Sequence, residues 1–329
     1  MFFCKNLTCI FDCGILPKDK KKKGGGDMAG CKLCPRLCGA DRTAGEVGFC
    51  GADGRLRVAR AAPHMWEEPP ISGKRGSGTV FFSHCPLRCV YCQNRNISSG
   101  GFGTDITVGR LCDIFFELAE KGVHNINLVS PTQYTREIIA AIRMAKARGF
   151  SLPFVWNTGG YERVETLRAL EGLVDIYLTD YKYASCALAA RYSDAADYPA
   201  AADAALREMV RQQPHCVLDG ELLTRGVIVR HLVLPTHADD SCEVVRRVYD
   251  AYGDRVILSL MSQYTPVGDC GGFAELASPV SAEEYDRVVD FALSLGVENA
   301  FIQEGGCVSE SFIPAFDTTG VLPEKENRK

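Results

Sequence analysis

From Ile71 onward the chain repeats one pattern: a short run of apolar or β-branched residues, then a longer stretch in which apolar positions recur every three or four residues. Uninterrupted apolar runs suit strands covered on both faces, and the longer period suits a helix with one apolar side. The runs at 78–83, 125–130, 153–157, 174–180, 227–234 and 256–261 are predicted as strands, with an additional one at 299–303. The segments 108–121, 135–148, 161–170, 200–212, 242–252 and 282–295 are predicted as amphipathic helices. Six alternating βα units predict an α/β fold around a parallel sheet. Several predicted strands end in polar residues, as Asn157-Thr158, Asp180-Tyr181-Lys182 and Ser262-Gln263-Tyr264 do. In βα proteins those C-terminal strand ends build the active site.

Before Ile71 the pattern is absent. Residues 1–27 hold Cys4, Cys9 and Cys13, a lysine run at 20–23 and Gly24 to Gly26, a composition expected of a solvated leader, with Met28 as an alternative start. Residues 28–70 read as a small loop-rich module with Gly39, Gly45, Gly48, Gly51 and Gly54 as turn makers. The repeating region is expected to span 71–305 and a tail 306–329.

A chain of 329 residues buries roughly 75% of its unfolded surface and needs no covalent staples. Stability therefore does not explain sixteen cysteines. No leader with a long apolar core and a small-residue cleavage site is visible, so the expected location is the cytoplasm, where thiols stay reduced. Clustered cysteines then read as metal ligands, and Cys112, Cys186 and Cys242 as small hydrophobes. No apolar run reaches membrane-span length. With 37 basic against 41 acidic side chains there is no positive field for nucleic acid, and small molecules or proteins are the expected partners.

The densest chemistry lies directly after the first predicted strand. Cys85, Cys89 and Cys92 form a CxxxCxxC triplet within Ser83-His84-Cys85-Pro86-Leu87-Arg88-Cys89-Val90-Tyr91-Cys92-Gln93-Asn94. Three thiolates on one loop can hold three irons of a cubic cluster and leave the fourth open to a small molecule. A zinc site with a recruited fourth ligand, or a Cys89–Cys92 redox pair, is the plainer alternative. A second cluster, Cys31, Cys34, Cys38 and Cys50, has enough thiolates to close a shell. Structural zinc and an auxiliary iron-sulfur cluster both fit that spacing, and free cysteines are the alternative.

The triplet, with an aromatic residue before its last cysteine, resembles the signature of the radical S-adenosylmethionine (radical SAM) superfamily. Further words carry the resemblance to the branch similar to pyruvate formate-lyase activating enzyme: Cys31-Lys32-Leu33-Cys34-Pro35-Arg36-Leu37-Cys38-Gly39, Glu67-Glu68-Pro69-Pro70-Ile71-Ser72-Gly73, Cys92-Gln93-Asn94, Asn125-Ile126-Asn127-Leu128-Val129 and Arg230-His231-Leu232-Val233-Leu234-Pro235. It runs from about 31 to 305. The resemblance implies a partial (β/α)6 TIM-like barrel. It also implies a 4Fe-4S cluster on Cys85, Cys89 and Cys92 and reductive cleavage of S-adenosylmethionine. An electron donor such as flavodoxin or ferredoxin, and a glycyl-radical enzyme as substrate, follow from the same branch. RNA, peptide or metabolite modification and a non-catalytic metal protein are the other readings.

By the same resemblance Tyr91 lies over a cofactor base, and Asn157-Thr158-Gly159-Gly160 resembles, in a different order, the Thr-Asn-Gly word of activating enzymes, where glycines admit close backbone approach. Asp180 and Lys182 match a strand-end Asp-Leu-Lys element, and Arg230 pairs with the methionine carboxylate. Relatives carry Gly-Gly-Glu at the second-strand end; this chain departs with Asn125, Asn127, Ser130, Pro131 and Thr132, of which Ser130 and Thr132 are expected to accept from an ammonium. The plainer reading of Asp180, Lys182 and Arg230 is an ion-pair network fixing the rim. His64-Met65-Trp66-Glu67-Glu68 lacks the paired histidines of a zinc protease and reads as a connector. The glycine-rich run 73–79 places its lysine wrongly for a phosphate loop. His231 should face away from Arg230 as a buried histidine, while Gln263, Tyr264 and Gln303 are candidates for the substrate side.

Overall fold

The computed structural model describes residues 30–266, 272–303 and 313–323. Cys4, Cys9, Cys13, Met28 and most of the segment 306–329 lie outside them. In chain order the elements are β1 (Leu56–His64), α1 (Pro69–Ser72), β2 (Ser77–Phe82), α2 (Arg95–Ser98), β3 (Thr104–Ile106), α3 (Val108–Glu120), β4 (Ile126–Val129), α4 (Thr135–Ala147), β5 (Phe154–Thr158) and α5 (Val164–Arg168). They continue with β6 (Ile176–Asp180), α6 (Cys186–Ser193), α7 (Tyr198–Gln212), β7 (Val217–Asp219), β8 (Leu222–Leu232), α8 (Ala238–Tyr252), β9 (Ile257–Met261), α9 (Ala282–Ser294) and β10 (Ala300–Ile302).

The sheet runs β10-β9-β8-β6-β5-β4-β2-β1-β3. From β2 to β10 all pairs along this path are parallel, and the order never reverses. Right-handed crossovers between neighbouring parallel strands put the connecting helices on one face. The packing agrees: Leu128, Trp156, Tyr177, Val229 and Leu258 share a core with Leu111, Ile138, Leu206, Val245 and Val288 of the helices. Alternate residues point the other way. There Val155, Ile176, Leu178, Ile228 and Ile257 form a separate cluster closed by Ile71 of α1. Two prolines begin α1, where a preset φ suits a first turn. Gly73 ends it at φ +48°, and a Cβ there would come within 2.6 Å of Leu222 Cδ2.

The structure divides the segment 28–70. β1 pairs antiparallel with both β2 and β3 and so belongs to the main sheet, leaving 30–55 irregular apart from one 3-10 turn, Arg42–Ala44. Its Ala-rich sequence with Pro63 carries little strand propensity, which hid it. The helix expected at 161–170 shrinks to Val164–Arg168, because Tyr161 stacks on Tyr198 and donates to Asp197 instead. Among the described residues no helix is long and apolar enough to cross a membrane.

Candidate functional site

One step along the strands from the small apolar cluster, the uncovered face becomes polar. Asn157, Asp180, Arg230 and Ser259 each follow an apolar cluster residue by two positions, so their side chains share its face. Register sets Asp180 beside Arg230 and Arg230 beside Ser259. Arg230 donates Nε to Asp180 at 2.9 Å, Nη1 to Glu67 at 3.3 Å and Nη2 to the Asn157 Oδ1 at 2.6 Å. Lys182 donates to the other Asp180 oxygen at 2.6 Å. The segment before α1 inserts two carboxylates into this layer: Glu67 accepts from Asn127 at 2.9 Å and Glu68 from Ser259 at 3.0 Å.

Partners hold the charge against burial at Asp180 and Lys182 but not at the two glutamates. Burial pushes the Asp180 carboxyl up, but Arg230 and then Lys182 more than offset it, leaving it below the usual range. For Glu67, which shares Arg230 at longer range, burial wins and the carboxyl is raised. Glu68 is raised for the same reason. Burial depresses Lys182, yet Asp180 and Cys89 carry it above its ordinary value.

The cysteine loop sits against this end of the sheet. Residues 83–94 join β2 to α2; Gln133 pins their start, donating Nε2 to the carbonyls of Ser83 at 2.9 Å, His84 at 3.0 Å and Ser130 at 2.8 Å. Leu87 closes on β5: a Cβ at Gly159 would meet Leu87 Cδ1 at 3.0 Å and Lys182 Cε at 3.6 Å. Cys85, Cys89 and Cys92 are partly buried. Burial raises the Cys85 thiol, helped by Cys89 and Cys92, while Lys182 pulls the other way. Burial also raises Cys89, opposed chiefly by Lys182. Ser193 donates to the Cys89 sulfur at 3.0 Å, and the Cys92 sulfur lies 3.3 Å from the Ser98 hydroxyl. Among the described residues no three His, Cys, Asp or Glu side chains stand in a ready-made metal-ion arrangement. Cys89 and Cys92 are nonetheless close enough to act on Cys85, and Cys92 on Cys89.

Other expected residues find different partners. Tyr91 is buried, accepts from the Tyr183 hydroxyl at 2.7 Å and packs edge-on against Tyr183 and Tyr264. Ser130 follows β4 at φ +55° with its N–H on the Asn157 carbonyl. Thr132 is buried and donates at 2.7 Å to Glu162, which Thr158 also contacts. His231 faces away from Arg230, its Nδ1–H on the Tyr181 carbonyl at 2.7 Å, and burial lowers it to about 4. Tyr264 is buried on the Leu276 carbonyl, while Gln263 accepts from Gln93 and Gln303.

Cys31, Cys34, Cys38 and Cys50 gather within the irregular segment. Burial lifts Cys34 to about 12, with Cys50, Cys31 and Cys38 adding to it. Burial raises Cys38 too, but N–H groups of Ala40 and Phe49 and the Cys31 thiol bring it below its ordinary value. Both the Cys38 and Cys50 sulfurs face Gly48.

Glu67 and Glu68, read from the sequence as part of a connector, instead join the charged network, and two adjacent acids before Pro-Pro were a usable signal. Gln133, Ser193 and Glu162 left no signal, because each acts across more than one element.

No family model matches the chain. The uncharacterized protein MJ0674 of Methanocaldococcus jannaschii is 28% identical over 275 residues, covering 80% of this chain and 74% of that protein. Among solved structures, Streptococcus suis SuiB bound to precursor peptide SuiA has a TM-score of 0.45 at 12% identity, covering 67% of this chain and 46% of that one. Methylornithine synthase (PylB) has a TM-score of 0.45 at 14% identity, covering 64% of this chain and 59% of that one. The chain thus spans about half the length of those solved structures.

Proposed function

We propose that the chain is a radical SAM enzyme built on a partial βα barrel, with Cys85, Cys89 and Cys92 as the three protein ligands of a 4Fe-4S cluster. The observation that carries this reading is the placement of three cysteines on the loop leaving β2, with Cys89 and Cys92 near enough to act on Cys85, beside Lys182 and the charged strand ends. The donor set suits the group: Ser193 and the Lys182 charge both favour a thiolate at Cys89. When bound, the cluster and S-adenosylmethionine supply one-electron cleavage of a sulfonium carbon–sulfur bond, giving methionine and a 5′-deoxyadenosyl radical that takes a hydrogen atom from the substrate.

The chain's own residues hold and orient. Lys182 keeps positive charge next to the triplet cysteines, and Asp180 anchors Lys182 and Arg230 together. Arg230 has donors already engaged by Asp180, Glu67 and Asn157, which supports a positioning role over direct pairing with a methionine carboxylate. Gln133 fixes the loop's entry. For Cys31, Cys34, Cys38 and Cys50 we read a zinc or auxiliary iron-sulfur site, on the strength of four neighbouring thiols in a segment without a core.

The hydrogen donor is the finer step. We read it as a backbone glycine of a glycyl-radical enzyme, with flavodoxin or ferredoxin as reductant, supported by the activating-enzyme words in the sequence. The test of the main reading is anaerobic: protein reconstituted with iron and sulfide, then given dithionite and S-adenosylmethionine, releases 5′-deoxyadenosine. Cys89→Ala abolishes release and leaves metal at the four-cysteine segment. Absence of nucleoside from well-loaded wild-type protein sinks the reading in favour of a non-catalytic metal protein. A glycyl-radical signal on a partner tests the finer step separately.

A further inference from the structure

The four-cysteine segment and the triplet loop are interlocked. Arg36, between Cys34 and Cys38, donates Nε to the Pro86 carbonyl at 3.0 Å and Nη2 to the Ser193 carbonyl at 3.1 Å. Pro86 lies inside the triplet, and the Ser193 hydroxyl sits on the Cys89 sulfur. In return Arg88, also inside the triplet, donates Nη2 at 2.6 Å to the carbonyl of Phe49, the residue before Cys50. Both guanidinium groups lie over the Phe49 ring, with Cζ 3.9 Å from its centroid for Arg36 and 4.7 Å for Arg88. Two cations brought this close repel, and the negative face of an aromatic ring is what makes their approach favourable. A second tie runs from Arg42, on the Asp53 and Gln133 carbonyls, through Gln133 to the loop's start.

The loop has little to hold itself. Between β2 and α2 it contains no regular element, and the N–H groups of His84 and Val90 reach out to Ile97 and Tyr192. Its shape is therefore imposed from outside. The geometry points to Arg36, Phe49 and Arg88 as positioning residues that clamp the Cys85–Cys92 loop, so that ordering of the four-cysteine segment sets the spacing of the triplet thiols. The significance of that spacing rests on the reading of the triplet as the cluster ligands, but the clamp itself is measurable without turnover.

The experiment uses the full chain, metal-free and reduced, with iodoacetamide alkylation followed cysteine by cysteine by peptide mass spectrometry. Phe49→Leu keeps apolar bulk and removes the aromatic face; without that face under each guanidinium, Cys89 alkylation is expected to speed up roughly two- to fivefold. Phe49→Tyr keeps the wild-type rate. Arg88→Gln, at an exposed position, gives an intermediate acceleration, and Cys112, fully buried in the core, keeps its rate throughout. Wild-type Cys89 rates in both Phe49→Leu and Arg88→Gln overturn the clamp, as does a Cys112 acceleration matching that of Cys89. Failure of wild-type protein to release nucleoside would sink the proposed chemistry and leave this result standing.

Discussion

Two carboxylates near the ends of neighbouring strands, Glu162 buried and Asp180 half-buried, behave in opposite ways. Asp180 ends β6 on the polar face, where Arg230 and Lys182 offset its burial and keep it ionised. Glu162 follows β5 and takes hydrogen bonds from Thr158 and Thr132, with no cation among its partners in the described residues, and burial raises it to about 7. Among the described residues its second oxygen finds no partner. Burial is common to both, so the partner decides the charge. One carboxylate organises a charged site; the other, one strand away, is divided between its charged and neutral forms near pH 7.

The sharpest way to break this contrast is to remove the cation. Arg230→Met leaves Asp180 and Glu67 buried with less compensation and is expected to destabilise the fold by about 3–5 kcal/mol, measured by urea unfolding at pH 7. Adding Asp180→Asn should restore part of that loss. An unchanged midpoint for Arg230→Met would mean that the network is hydrated and energetically idle.

The next effect is a pH dependence. Glu162 titrates higher in the fold than in the unfolded chain, so its contribution is full below pH 4.5 and disappears as pH rises through about 7. Relative to wild type, Glu162→Gln should gain on the order of 3 kcal/mol between pH 4.5 and pH 8. His231 runs the other way: held near 4 by burial, it contributes fully above pH 6.5 and loses that as pH falls toward 4. Chemical denaturation of wild type, Glu162→Gln and His231→Asn across that range separates the two. Parallel profiles for Glu162→Gln and wild type would remove Glu162 from the comparison.

The smallest effect distinguishes two roles for Thr132. Thr132→Val removes one hydrogen bond to Glu162, costs about 1 kcal/mol and shifts the Glu162 titration upward, read from its carboxyl infrared band. A Thr132→Val protein with an unmoved Glu162 band and weakened S-adenosylmethionine binding would return Thr132 to the ligand site expected from the sequence.

The strands β2, β4, β5, β6, β8, β9 and β10 were legible because uninterrupted apolar runs have few other places to go. β1 was not, since alanines and a proline become a strand only when β2 and β3 supply partners. Cysteine spacing made both clusters visible. It said nothing of Ser193, Arg36 or Phe49, which meet the triplet from elsewhere in the chain.

By itself, then, the sequence determined what is local: the alternation of strand and helix, the one-directional βα pattern and the grouping of thiols on short loops, all properties of spacing within a few residues. The tertiary structure alone decided what depends on distant groups sharing space. It brought Glu67 to Arg230 across 163 positions, set Asp180 charged and raised Glu162 toward neutrality, and laid one cysteine segment against the other. Burial and charge pairing act through space, and neither is written into the order of residues at any single place along the chain.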